Sequence, residues 1–287
     1  MRVSRATLGS GGVCVSKKIP ISTLVKFLKL TGILLLLSGI QPLLASPLDL
    51  NFTDSSQLEA YIAKRTRLIQ AEPKNPIPYI ERGDARFLAH KFDEAVDDYT
   101  AALEINDALD EAYFGRGLAL GRSGFIEAGI EDLGIYIKRN PKSSIAYTKR
   151  GIRYLWLGDL GNAKADFAKA IKINPKNAEA HDDLGVIYAK YGQYYQAADN
   201  FISAFEIDPS YYKAYYNLAI VSFITNKDKL ALVLVKNSLA LKPNQRDSLI
   251  LKAKILKSLG RVDEAESIMD DAEFLPEGNE SERIPLK

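Results

Sequence analysis

Residues 178–211 read AEAHDDLGVIYAKYGQYYQAADNFISAFEIDPSY, two amphipathic helical patterns set back to back. Gly192 breaks the pattern between them, and Asp208-Pro209 ends the second. Small residues (Gly185, Ala197, Ala204) stand where the helices must touch, with Leu184, Tyr188, Phe201 and Ile207 filling the spaces between. A helix pair this short cannot bury its own apolar face, so it needs neighbours of the same kind.

The sequence supplies them. From Pro76 the chain repeats with a period of 34, six times without insertion: 76–109, 110–143, 144–177, 178–211, 212–245 and 246–279. The fourth position reads Tyr79, Tyr113, Tyr147, His181, Tyr215 and Leu249. The eighth reads Gly83, Gly117, Gly151, Gly185, Ala219 and Ala253. The twentieth reads Ala95, Gly129, Ala163, Ala197, Ala231 and Ala265, and the twenty-seventh Ala102, Tyr136, Ala170, Ala204, Ser238 and Ala272. Pro141, Pro175, Pro209 and Pro243 take the thirty-second, where the first unit has Asp107. Packed helices approach to about 8–10 Å, and the closest approaches need small side chains. Proline lacks an N–H and ends the second helix before the next begins.

These columns resemble the 34-residue helix–turn–helix signature of the tetratricopeptide-repeat (TPR) family. The resemblance covers residues 76–279. It implies an all-α fold, a right-handed α-solenoid of six repeats. Upstream, residues 46–75 read as a linker and an N-terminal capping helix: Asp54 stands three residues before Gln57, a capping-box spacing, and Leu58, Tyr61, Ile62, Leu68 and Ile69 form one apolar face up to Ala71. This helix matches the second half of a repeat. At the far end Glu264, Glu266, Asp270, Asp271 and Glu273 give the last helix a polar outer face, and residues 280–287 read as a disordered tail after Pro276 and Gly278.

Two further patterns bear on packing. The seventh position is Arg82, Arg116 and Arg150 in the first three units, and the twenty-third is Asp98, Asp132 and Asp166; in the next two the pairs become Leu184 with Asn200 and Leu218 with Leu234. Partners that appear and vanish together indicate a partly buried Arg–Asp pair between the two helices of a unit. The second unit is irregular. Gly129 and Gly134 interrupt its second helix and Tyr136 stands where small residues occur elsewhere, so the glycines are expected to make room for the ring; the alternative is a flexible joint or a close approach by a partner.

The 38 basic and 36 acidic residues are unevenly placed. Arg2, Arg5, Lys17, Lys18, Lys26 and Lys29 lie in residues 1–45, ahead of the first acid, Asp49. The rest of the chain carries 32 basic against 36 acidic groups, a balance without the footprint of a nucleic-acid binder. The basic stretch, the apolar run Leu30–Ile40 and the sequence Leu43-Leu44-Ala45-Ser46 match a secretory signal cleaved after Ala45. The expected destination is the periplasm or the cell exterior. The alternatives are an uncleaved membrane anchor over residues 30–45 and a two-stage signal for the thylakoid lumen. The only cysteine, Cys14, falls in this leader. His90 and His181 are far apart and lack metal-ligand spacing.

No catalytic constellation stands out, and no cofactor is called for. In the TPR family the first helices of successive repeats line a concave groove that binds an extended peptide or a partner's helix. Mapped onto this sequence, the groove residues are Phe114, Leu118, Ile152, Trp156, Asp182, Asp183, Val186, Tyr216 and Ile220. The groove reads as largely apolar, with Trp156, Phe114 and Tyr216 as anchors and Asp182-Asp183 as an acidic spot. The Lys and Asn pair that grips a carboxylate in chaperone-binding members is missing from every unit. The expected protein is an exported, non-enzymatic scaffold binding a protein or peptide, in assembly or maintenance of an envelope or membrane complex. The alternatives are self-association through the groove, and a small-ligand carrier or enzyme with a site between repeats.

Overall fold

A computed structural model of the chain describes Phe52 and residues 54–275. The leader, 1–45, and the tail, 280–287, lie outside the described residues. The described part holds thirteen α-helices. A single helix, α1 (Ser55–Ala71), is followed by six helix pairs. The pairs are α2 (Ile77–Leu88) with α3 (Phe92–Ile105), α4 (Asp110–Arg122) with α5 (Ile126–Arg139), and α6 (Ser144–Trp156) with α7 (Leu160–Ile173). Then come α8 (Ala178–Lys190) with α9 (Tyr194–Ile207), α10 (Tyr212–Ile224) with α11 (Asp228–Leu241), and α12 (Arg246–Ser258) with α13 (Val262–Glu273). Each helix packs on the one before it and the one after it, which makes a solenoid. First helices also pack on the first helices of adjoining units. That closer spacing puts the first helices on the inner side of the curve. Among the described residues no helix is long and apolar enough to cross a membrane.

The turn inside each unit has one geometry. Its fifteenth residue is left-handed in all six units: His90 (φ 58°), Gly124 (90°), Gly158 (77°), Gly192 (71°), Asn226 (56°) and Gly260 (77°). The next N–H donates back to the carbonyl of the eleventh residue, as from Lys91 to Arg86 (2.8 Å) and from Gln193 to Tyr188 (2.9 Å). This is the Schellman arrangement, which caps otherwise unpaired carbonyls at a helix end.

The small residue at the eighth position serves a particular ring. A Cβ on Gly185 would lie 2.5 Å from Cε1 of Phe201, and one on Gly151 2.7 Å from Cε1 of Phe167. Tyr99 is clamped between two glycines, with a Cβ on Gly83 at 3.0 Å and one on Gly115 at 2.5 Å from its Cε1. These rings are the twenty-fourth residues of their units, and all three are fully buried. Where the twenty-fourth residue is Val235 or Met269, the eighth is alanine. The second unit has Leu133 there instead, and its backbones close up: a Cβ on Gly129 would lie 2.8 Å from the Gly117 oxygen. The expectation about Tyr136 therefore needs correction. Gly129 serves the contact of α5 with α4, and the Tyr136 ring packs on Phe114, 4.9 Å between centroids.

The Arg–Asp pairs form as the sequence indicates. Arg116 donates to Asp132 through Nε (2.7 Å) and Nη2 (2.9 Å), and Arg150 to Asp166 at 2.8 Å through each. Arg82 does the same with Asp98, which also receives Arg86 at 2.7 Å. The remaining Nη1 reaches back one repeat, from Arg82 to Thr66 (3.0 Å) and from Arg116 to Thr100 (3.3 Å). Thr66 and Thr100 are one period apart, so α1 stands in the register of a second helix. Asp54 caps it by accepting from the Gln57 N–H at 2.9 Å. One period after Thr100 comes Gly134, whose added Cβ would meet only Arg150 Nη1, at 3.7 Å.

Gly134→Ala is expected to raise the unfolding free energy by about 1 kcal/mol through helix propensity. Gly134→Thr should stabilise too, by giving Arg150 Nη1 its missing hydroxyl. Gly129→Ala should lower stability by about 1–3 kcal/mol through overpacking. Urea midpoints of the three variants check this ranking. In a double-mutant cycle, Arg116→Ala and Asp132→Ala should couple by about 1 kcal/mol or more; additive losses would show that the pair contributes nothing.

Candidate partner-binding surface on the first helices

The groove residues named from the sequence divide into two groups. Phe114 and Leu118 belong to a core cluster with Leu133, Ile137 and Ala146, joining α4, α5 and α6. Ile152, Val186 and Ile220 are buried as well. Asp182 is 1% exposed, and both its oxygens accept from Asn217 Nδ2 on α10, at 3.0 and 3.1 Å. Asp183 is buried beside it. These side chains hold neighbouring first helices together, so the expected acidic spot is spent inside the chain. Trp156 and Tyr216 are half-buried and keep part of their surface accessible. The accessible inner surface is accordingly narrower and less apolar than the repeat columns suggest.

Trp156 ends α6. Its indole lies beneath two guanidinium groups, Arg153 at 4.8 Å and Arg122 at 5.5 Å from the ring centroid. Arg153 is buried, its Nη2 donating to the Leu118 carbonyl at 2.9 Å. That carbon-to-nitrogen crowding explains Gly121, whose added Cβ would lie 2.5 Å from Arg153 Nε. Arg122 is exposed and ends α4. Lys190 holds the same place at the end of α8, one repeat after Trp156. Neither Arg122 nor Lys190 makes an ion pair among the described residues. Burial alone pushes the Lys190 ammonium below its ordinary value, with no carboxylate to offset it. The half-charges at three helix C-termini partly compensate these cations. Arg122 and Lys190 are absent from the sequence-based set. Their signal was the thirteenth column, which they share with Trp156.

His181 is a packing residue. Its Nε2 lies 3.1 Å from the carbonyl of Pro175, six residues back, so that nitrogen carries the proton. Tyr79 donates in the same way to the carbonyl of Pro73, at 3.3 Å. Asp84 also has an internal task. The buried Tyr99 hydroxyl donates to Asp84 Oδ1 at 2.7 Å. Burial raises the Asp84 carboxyl from 3.8 to about 7, against the lowering effect of the Tyr99 hydrogen bond and with a contribution from Glu81.

Family models described as tetratricopeptide repeat match residues 146–177 and 167–198. No curated protein matches the chain. A tetratricopeptide repeat protein from Parabacteroides merdae is similar in structure, with a TM-score of 0.65, 21% identity, and coverage of 80% of this chain and 91% of its own. The APC/C hetero-tetramer Cut9–Hcn1 gives a TM-score of 0.69 at 13% identity over 76% of this chain. This chain spans only 43% of that one. Pseudomonas aeruginosa pilF gives 0.60 at 14% identity, covering 68% of this chain and 89% of its own. At these identities the likeness is one of fold.

The Asp84 shift has a definite sign. The folded chain keeps a proton that the unfolded chain releases, so the contribution to stability is full below about pH 4 and is lost as pH rises through about 7. Asp84→Asn still accepts from Tyr99 and carries no charge. Its melting temperature should match wild type at pH 4 and exceed it at pH 8; equal melting at both would place Asp84 in an unshifted environment.

Proposed function

Since this chain is a tetratricopeptide-repeat protein, we propose that it is an exported, non-enzymatic scaffold that captures a protein partner on the inner ends of its first helices. The partner segment is extended and acidic, and it lies across Arg122, Trp156 and Lys190. One observation carries the reading: two cations without an acidic partner flank a half-buried tryptophan at the same position of the first helices of three consecutive repeats. A carboxylate between such groups gains charge-assisted hydrogen bonds, and the indole supplies the apolar anchor that dominates recognition sites. The buried remainder of the inner face keeps the helices fixed, so little ordering is needed on binding.

Export rests on the acid-free leader and the apolar run before Ala45. A role in assembling or maintaining an envelope or membrane complex follows from that destination together with partner capture.

A fluorescent peptide rich in Glu and Asp tests the site. Wild type should bind it more tightly than a Lys-rich control, with affinity falling as salt rises. Trp156→Ala and the pair Arg122→Glu, Lys190→Glu should each weaken binding at least tenfold while far-UV circular dichroism stays unchanged. Equal binding of both peptides, or indifference to these changes, refutes the site. Amino-terminal sequencing of the native protein should begin at Ser46; a start at Met1 refutes cleavage.

A further inference from the structure

The outer face of the last repeat carries a cavity of about 300 Å³ between α12 and α13. Its floor is Ala253, Val262, Ala265 and Met269. Met269 is the twenty-fourth residue of its unit and 45% exposed, whereas Tyr99, Phe167 and Phe201 in that place are fully covered. In those three units the following repeat closes the space. Val262 is 42% exposed beside Met269, so the polar face expected of α13 is broken by an apolar slot.

The walls of the slot are oppositely charged. Lys254 and Lys257 stand on α12, and Glu266 and Asp270 on α13. All four are exposed, and none makes an ion pair among the described residues. A twofold interface requires a surface that complements itself, with each patch meeting its own copy. An apolar floor between one basic and one acidic wall meets that requirement. We propose that a second copy of this chain occupies the slot. The twofold lays α13 of each copy along the slot of the other, so that Glu266 and Asp270 of each face Lys254 and Lys257 of the other. Met269 and Val262 fill the centre and complete, between copies, the contact that a following repeat makes elsewhere. The surface lies at the end of the stack, apart from Arg122, Trp156 and Lys190, so dimerisation leaves peptide capture open.

Light scattering on the chain that begins at Ser46, across a concentration series, tests this. The expected mass is twice that of the single mature chain, reached without higher species. Met269→Glu should give a monomer of unchanged helicity and unchanged affinity for the acidic peptide. Lys257→Glu should weaken dimerisation at least tenfold, and adding Glu266→Lys to it should restore the dimer. A wild-type monomer, an open series of oligomers, or a double variant no better than the single one overturns the proposal. So does a chain that dimerises only after removal of residues 276–287, since its own tail would then be the occupant.

Discussion

The ring at the twenty-fourth position, set against the missing Cβ at the eighth, is the contact on which the rest of the structure depends. Phe167 over Gly151 and Phe201 over Gly185 set the distance between the two helices of a unit and their rotation about their own axes. With that rotation fixed, most fifth and ninth residues of the inner units point at the first helices beside them, although Tyr216, a fifth residue, keeps part of its surface. Phe114, Leu118, Val186 and Ile220 are buried for this reason. Besides Tyr216, the inner surface left open is at the helix ends, where the thirteenth residue keeps accessible surface. The place of the proposed binding surface is thus a consequence of packing inside the repeat.

Charge is used in two ways along the same helices. At the seventh and twenty-third positions it is closed on itself: Arg116 and Arg150 each meet an aspartate through two nitrogens, and the aspartates are nearly fully buried. Such a pair specifies the approach of two helices more than it adds stability, since desolvation offsets much of the attraction. At the thirteenth position the charge is open. Arg122 covers an indole and Lys190 has only burial acting on it. Asp182 illustrates how the first use can be mistaken for the second. Its place in the repeat is a groove position, yet Asn217 from the next unit occupies both its oxygens.

The repeat architecture was legible because a fixed period of 34 exposes every constraint six times. The Arg–Asp pairs were legible because both partners change together. Less could be read where a constraint depends on three-dimensional neighbours. Gly129 and Gly134 look alike in the sequence, but one touches a backbone across the interface and the other faces a single arginine nitrogen. The left-handed turn residue is glycine in four units and hidden as His90 and Asn226 in two. Of the nine groove residues, Trp156 and Tyr216 keep accessible surface; Tyr216 shares the fifth position with the buried Phe114 and Asp182, and no periodicity reports which members of a column the packing covers. Arg122 and Lys190 share the thirteenth column with Trp156, and an apolar reading of that column singles out the tryptophan and passes over the cations.

The two ends of the stack are covered by different physics. In front, α1 is held by charged and polar contacts: Arg65 with Glu81 (2.8 Å), Lys91 with Glu59 (2.9 Å), and Arg82 with Thr66 (3.0 Å). It has no buried residue of its own, so it covers the first unit while its outer surface stays wet. Behind, α12 and α13 keep their apolar slot uncovered within the described residues. In a linear array each unit draws stability from its neighbours, and a terminal unit has one neighbour fewer. Full burial of a methionine side chain contributes about 1.5–3 kcal/mol, and Met269 leaves nearly half its surface outside. The sixth unit is therefore the one whose local stability gains most from an added surface. Whatever closes the slot shifts the folded state of that end by mass action. If a second copy closes the slot, assembly and local folding at this end of the chain become one equilibrium, whereas the proposed inner surface stands on units already covered on both sides and would bind without that cost.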